Sequence, residues 1–239
     1  MTNDLHPVIS KQLQILYEDN HLIAVNKRPS DIVQGDKTGD EPLSEKVKSY
    51  LKKKYNKPGD VYLGVIHRLD RPVSGVVLFA RTSKAAARLS KLFQEKEVQK
   101  TYWGVVKNKP KKTSGKLEHW LLKNQKQNKS YPVDENRNGA KKAELEYKLI
   151  CSSNNYHLLE VKPITGRHHQ IRAQLTAIGC PVKGDLKYGF DRSNKDGSIH
   201  LHAHKIEFTH PVKKELLTII AKPPEDVLWN TFSRQFTTS

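Results

Sequence analysis

In the stretch Val65-Ile66-His67-Arg68-Leu69-Asp70-Arg71-Pro72-Val73-Ser74-Gly75-Val76-Val77-Leu78-Phe79-Ala80, a polar, cationic segment is framed by two apolar ones. Val76 to Ala80 is short, apolar and rich in β-branched residues, which predicts a buried strand rather than a helix. Pro72 steers Arg71 away from helical dihedrals, and Gly75 permits close approach of another backbone. Asp70 is therefore predicted at a bend where the chain enters that strand beside a cleft, with Arg68 and Arg71 flanking it. An isolated Arg-x-Asp-Arg is ordinarily a solvated turn with the aspartate as its cap. A second cationic stretch, Thr165-Gly166-Arg167-His168-His169-Gln170-Ile171-Arg172, opens a predicted helix after a strand. Two such clusters in one fold point to a shared anionic ligand.

Outward from this centre, the strands come in hairpins. Ile15 to Tyr17 and His21 to Val25 flank a tight turn, Leu145 to Ile150 and Tyr156 to Val161 flank Ser152 to Asn155, and Ile206 to Phe208 pairs with Leu216 to Ile220. Period two turns Tyr102 away from Thr101 and Trp103, so that it can face a cleft. Leu43, Val47 and Leu51 predict a helix to about Tyr55, with Asp40 as candidate cap and Pro42 in its first turn. Ser83 is the expected cap of a second helix carrying Ala86, Leu89 and Phe93 on its packed face and Lys84, Arg88, Lys91 and Lys96 elsewhere. A third follows Gly166, with Ile171, Leu175 and Ile178 on one face and Gly179 as its stop. Hairpins without strict strand–helix alternation predict a single α+β domain with a mixed, mainly antiparallel sheet flanked by helices and loops. The expected layout is an arm at 1–12, a body at 13–225 with a loose Lys-rich insert at about 107–142, and a tail at 226–239 that is loose from Phe232.

The chain has 239 residues, and 42 Lys plus Arg against 25 Asp plus Glu leave a formal charge of +17. Such an excess suits a polyanionic partner. The apolar runs are far shorter than the roughly 20 residues that cross a bilayer, so no membrane partner is expected. Residues 1–10 carry neither a secretory nor a transit pattern. Cys151 and Cys180 are the only two cysteines and read as structural thiols in a reducing compartment, which predicts a cytoplasmic protein.

His67 to Gly75 resembles the His-Arg-Leu-Asp-x-x-Thr-Ser-Gly string of RNA pseudouridine synthases of the RluA branch, with Val73 in place of the usual threonine. Thr165 to Arg172 is similar to a second family motif, Gly179 to Gly189 to a third, and Gln99 to Tyr102 to the strand bearing the family tyrosine. Leu201 to Ala203 with His210-Pro211 is similar to the carboxy-terminal signature. Asn26-Lys27-Arg28-Pro29-Ser30 departs from the commoner Asn-Lys-Pro-x-Gly. Fewer residues precede Ile15 than the RNA-binding domain of many relatives requires, so RNA recognition is expected from the catalytic body.

The resemblance implies isomerisation of uridine to pseudouridine in RNA, without metal or other cofactor; a monomer is expected. Large-subunit ribosomal RNA is the first expected substrate and transfer RNA the second. It implies Asp70 as nucleophile or base, Arg172 as its ion-pair partner, and Tyr102 as either the base for the C5 proton or a stacking platform. His67, Arg68, Arg71, Arg167, His169 and Gln170 are the expected RNA- or substrate-binding residues, with His67 bracing the loop and Arg68 either filling the space of an extruded base or touching phosphate. A carboxylate with an ordinary pKa near 3.9 is ionised at neutrality, and a guanidinium beside it does not titrate. Two rival readings are a non-catalytic RNA-binding protein and a metal-dependent hydrolase using His200, His202 and His204.

Overall fold

The computed structural model describes residues 13–36 and 38–237, so the expected arm at 1–12 lies outside it. The first half of the chain forms β1 (Ile15–Glu18), β2 (Leu22–Lys27), α1 (Leu43–Lys54), β3 (Gly64–Val65), β4 (Ser74–Ala80), α2 (Ser83–Gln94) and β5 (Gln99–Val106). The second half forms β6 (Ser114–Asn124), β7 (Lys129–Val133), β8 (Lys141–Ser152), β9 (His157–Pro163), α3 (Gln170–Ala177), β10 (Leu201–Thr209), β11 (Leu216–Ile220) and α4 (Val227–Thr237). Among the described residues the strands make one sheet in the order β1-β2-β4-β10-β5-β9-β8-β6-β7, with β11 on β10 and β3 on β4. Pairing is antiparallel except between β4 and β10. This is the expected α+β class with a mixed, mostly antiparallel sheet.

All seven residues of β4 are buried, because helices cover both faces of the sheet there. Val77 and Phe79 pack in one cluster with Leu43, Val47 and Leu51 of α1. Val76, Leu78 and Ala80 pack in the other with Ala85 and Leu89 of α2. Pro42, rather than Asp40, occupies the N-cap of α1 without a side-chain cap bond. Thr82, not Ser83, caps α2, its hydroxyl accepting from the Ala85 N–H at 3.2 Å.

β4 is lined by β2 along most of its length, but its other edge is shared. Gly64 and Val65 of β3 pair with Ala80 and Phe79, whereas His202 and Ala203 of β10 pair with Ser74 and Gly75. Between them the ladder is open, and the segment from β3 to β4 has to leave the sheet through that gap. This lifts Asp70 to the sheet's surface. The Leu78 N–H that the gap leaves without a strand partner is accepted by His67 Nε2 at 3.0 Å. Gly75 has φ 118°, and a Cβ there would collide with the Ala203 backbone, so the parallel β4–β10 contact demands glycine.

Two expectations are corrected. The Lys-rich segment at 107–142 is not loose: β6 and β7 form a hairpin that extends the sheet beyond β8. Two of its lysines are neutralised across strands, Lys116 by Glu144 at 2.8 Å and Lys142 by Glu118 at 2.9 Å, while Leu121, Ala143 and Leu145 bury on the opposite face. The expected tail is the helix α4, which buries Trp229 and Phe232 against Val105 and Leu158. Asp226 starts it by accepting from the Trp229 N–H at 2.7 Å and lies 2.9 Å from His200 Nε2. Among the described residues no helix is long and apolar enough to cross a membrane.

Candidate active site

The gap in the sheet opens into a cleft of about 660 Å³, walled by the Ile66–Val73 segment, the C-terminal end of α2, one face of β5 and the Pro163–Arg172 turn. Its charged lining comprises Arg68, Lys96, Lys100, Arg167 and Arg172 against a single carboxylate, Asp70. A larger groove of about 1100 Å³ lies beyond the Asp70 loop, but there five cations are matched by Asp31, Asp40, Glu41, Asp196 and Glu225. A polyanion is favoured by the first and not by the second.

Arg172, on the first turn of α3 and almost wholly buried, ties the site together. Its Nη1 donates to Asp70 Oδ2 at 2.9 Å, while Nε and Nη2 donate to the two oxygens of Asp185 at 2.6 and 2.8 Å. Burial alone would lower the pKa of this guanidinium, but the hydrogen bonds and charges of Asp185 and Asp70 outweigh it and raise the pKa above the ordinary value. The cation is thus permanent, and the bidentate grip of Asp185 leaves one N–H pair aimed at Asp70.

Asp185 precedes the turn Leu186–Tyr188 and is 1% exposed. Tyr188 puts its ring beneath the Arg172 guanidinium at 4.9 Å, and its hydroxyl accepts from the Ser130 N–H at 2.9 Å and meets His169 Nδ1 at 3.0 Å. The hairpin tip thereby braces the cleft wall. Neither Asp185 nor Tyr188 was among the expected site residues, although both fall within Gly179 to Gly189.

His169 adopts a left-handed conformation, φ 54°, at the N-cap of α3, which turns its ring back so that Nε2 lies 3.5 Å from Asp70 Oδ2. Burial, only partly offset by the charge of Asp70, lowers its pKa to about 3, so the imidazole is neutral. Gln170 is buried and clamps the turn: its Oε1 accepts from Thr165 Oγ1 at 2.7 Å and the Arg167 N–H at 2.9 Å, and its Nε2 donates to the Glu144 carbonyl at 2.9 Å. Arg167 is exposed, with Nε donating to the Lys142 carbonyl at 2.9 Å.

Tyr102 lines the cleft as period two predicts, and burial first, then the charge of Asp70, hold its phenol well above the ordinary pKa. His67 stacks on Phe93 at 5.2 Å, and Arg68 is exposed at the rim. Arg71 does not join them. It lines the larger groove, where Nη2 donates to Asp40 Oδ2 at 2.5 Å and Thr38 Oγ1 at 2.7 Å. Its backbone carbonyl accepts from the buried Lys27 Nζ at 3.0 Å, which pins the Asp70 loop to β2. Arg68 and Arg71 are three residues apart along a chain that bends between them, so they serve opposite faces of the loop.

The alternating histidines are engaged in packing. His202 Nδ1 lies 2.8 Å from Ser74 Oγ and its Nε2 3.1 Å from the Ala221 carbonyl, while His204 stacks on Trp103 at 3.6 Å.

Burial lowers the pKa of His67 to about 4 and of His202 to about 4, as it does that of His169 to about 3. The unfolded chain takes up these protons near the ordinary 6.5 while the folded one does not, so stability is fully present above that pH and is lost as pH falls toward 4. The thermal midpoint is expected to decline already between pH 7 and 5, above the range where carboxylates titrate. An unchanged midpoint across that interval would contradict the neutral assignment.

The RNA pseudouridylate synthase family model matches residues 21–177. The chain is similar to ribosomal large subunit pseudouridine synthase C of Rickettsia bellii, 36% identical over 214 residues that cover 88% of this chain and 68% of that protein. It is similar to the enzyme of the same name from Vibrio vulnificus, 33% identical over 229 residues covering 93% of this chain and 70% of the other. In fold it is similar to human RNA pseudouridylate synthase domain containing 4, with TM-score 0.77, 24% identity and 93% of each chain covered. Resemblance along the chain, the match over its central two motifs and these relatives agree: the chain belongs to the RNA pseudouridylate synthase family.

Proposed function

We propose that this pseudouridine synthase acts on large-subunit ribosomal RNA, with Asp70 as its catalytic carboxylate, Arg172 as the fixed counter-charge and residues 13–225 with α4 as the catalytic body. The observation that carries the site assignment is the Asp70–Arg172 ion pair at 2.9 Å inside a cleft otherwise lined by cations. The substrate class rests on the names of the relatives, which act on the large ribosomal subunit. A cytoplasmic location belongs to the same proposal.

The reaction breaks the bond from ribose C1′ to uracil N1, turns the base, joins C5 to C1′, and moves the C5 proton to N1. Attack on C1′ and removal of a ribose proton both start from the same carboxylate. The target nucleotide has to leave its stack to reach Asp70, at a cost of a few kcal/mol that is least in loops. Arg68 and Arg167 at the rim meet the strand that remains outside, and the neutral His169 beside Asp70 completes the pocket without adding charge.

Tyr102 supplies a ring for the uracil and a hydroxyl for the C5 proton. Because its phenol stays protonated, it works as a relay, accepting the C5 proton as its own proton passes on by way of the carboxylate to N1, which leaves Asp70 ionised again. Tyr102→Phe is expected to keep RNA affinity, since a stacked ring is worth about 1–3 kcal/mol with or without the hydroxyl. Its turnover is expected to fall by about 10²–10⁴-fold, the usual contribution of a positioned proton-transfer group. Wild-type turnover in this variant reduces Tyr102 to a platform.

Mapping pseudouridines in cellular RNA with and without the gene tests the substrate. The expected result is loss of at least one site in large-subunit ribosomal RNA, restored by the wild-type gene and not by Asp70→Asn. Loss confined to transfer RNA would transfer the activity to that substrate, and no loss in any RNA would overturn the proposal.

A further inference from the structure

Lys100 is two residues before Tyr102 on β5 and therefore points to the same face, into the cleft. It is half-buried, and among the described residues its ammonium meets no carboxylate and no hydrogen-bond acceptor. Its polar contact is with the face of Phe93, whose centroid is 5.9 Å from Nζ. Burial pushes its pKa below the ordinary lysine value, and no acidic neighbour counters the shift. By contrast, Lys116, Lys142 and Lys54 each hold a carboxylate within 2.9 Å.

A sequestered cation without a counter-charge is unfavourable, and a fold keeps one where a ligand supplies the missing partner. Gly166 lies beside the ammonium, where a Cβ would stand 3.9 Å from Nζ, so a strand lying over that exposed turn can reach it. Arg68, Lys96 and Arg167 line the same cleft, whose one carboxylate, Asp70, does not offset the effect of burial on Lys100. A compact ammonium with three donors suits a phosphate oxygen rather than a planar base edge.

We propose that Lys100 and the Gly166 turn form a phosphate-binding site for the RNA strand, holding a backbone phosphate next to the uridine extruded toward Asp70. The site rests on the reading of this cleft as the RNA cleft, but its test does not need turnover. Phosphate at Lys100 neutralises the half-buried cation and fixes the strand beside Tyr102.

Binding of a labelled decauridylate, followed by fluorescence anisotropy over a salt series in the Asp70→Asn background, reads the contact directly. That background separates the outcome from any failure of the catalytic assignment. With Lys100→Met, affinity is expected to fall roughly tenfold, in line with loss of one charge-assisted hydrogen bond. The slope of log affinity against log salt is expected to drop by about 0.7, the loss of one single-strand phosphate contact. Lys100→Arg is expected to retain both. Because methionine removes an uncompensated cation at similar volume, Lys100→Met is expected to melt at or above the parent temperature. An unchanged slope and affinity in Lys100→Met, or a lowered melting temperature with an unchanged slope, would assign Lys100 to packing and overturn the site.

Discussion

Asp70→Asn is expected to lower single-turnover conversion of unmodified, transcribed large-subunit ribosomal RNA by at least about a thousandfold. Loss of a general base alone costs about 10²–10⁴-fold, and loss of a nucleophile costs more. The carboxamide keeps the volume of the side chain and can still accept from Arg172 Nη1. Arg172 also keeps both hydrogen bonds to Asp185, so the guanidinium is not abandoned in the interior. The melting temperature is therefore expected to stay close to that of the parent. Affinity for RNA is expected to hold or rise, because the substitution removes the single carboxylate from a cleft lined by five cationic side chains. Residual conversion above a few per cent of the parent rate, in a folded variant that binds RNA, would displace Asp70 from the centre of the mechanism.

Asp185→Asn is expected to have the second-largest effect, and on two observables at once. Asp185 is 1% exposed and takes the Arg172 Nε and Nη2 donors on its two oxygens. In the asparagine variant one oxygen becomes an NH₂ that faces an N–H, leaving a buried guanidinium under-compensated. Breaking a buried pair by removing one partner costs about 3–5 kcal/mol. For a chain of this size that corresponds to a fall in melting temperature on the order of 10 °C. Arg172 then loses the grip that aims Nη1 at Asp70, and conversion is expected to fall with it. The two effects separate in the double variant. In the Asp70→Asn background, Asp185→Asn is expected to lower stability by the same amount while costing little further activity, since the charge it positions no longer has its catalytic partner. A normal rate in Asp185→Asn alone would show that Asp70 works without an oriented guanidinium.

Much of the fold is legible in the chain because its strands are local hairpins. Turns such as Glu18-Asp19-Asn20 and Ser152 to Asn155 join strands whose period-two pattern is visible within a few residues, and β1–β2, β8–β9 and β10–β11 pair as their sequences predict. The Lys-rich segment reads as loose because the partners of its charges are far away in sequence: Lys116 meets Glu144 across β6 and β8. The C-terminal helix is equally hidden, since a segment of this length is marginal alone and is held by Trp229 and Phe232 seated on the sheet.

At the site, the family resemblance implies the roles of Asp70, Tyr102 and Arg172, while the residues by themselves give a charged loop between apolar segments, a strand with a tyrosine on one face, and an arginine opening a helix. Those are local properties, set by dihedral preference, strand period and residue chemistry. The tertiary structure decided what sequence order leaves open. It turned Arg71 into the neighbouring groove and left Arg68 on the cleft, brought Asp185 across thirteen residues to grip Arg172, and left the Lys100 ammonium in the cleft without a counter-charge. Distance along a chain does not specify direction in space, and only the gap between β3 and β10 and the packing around it determine which charges meet.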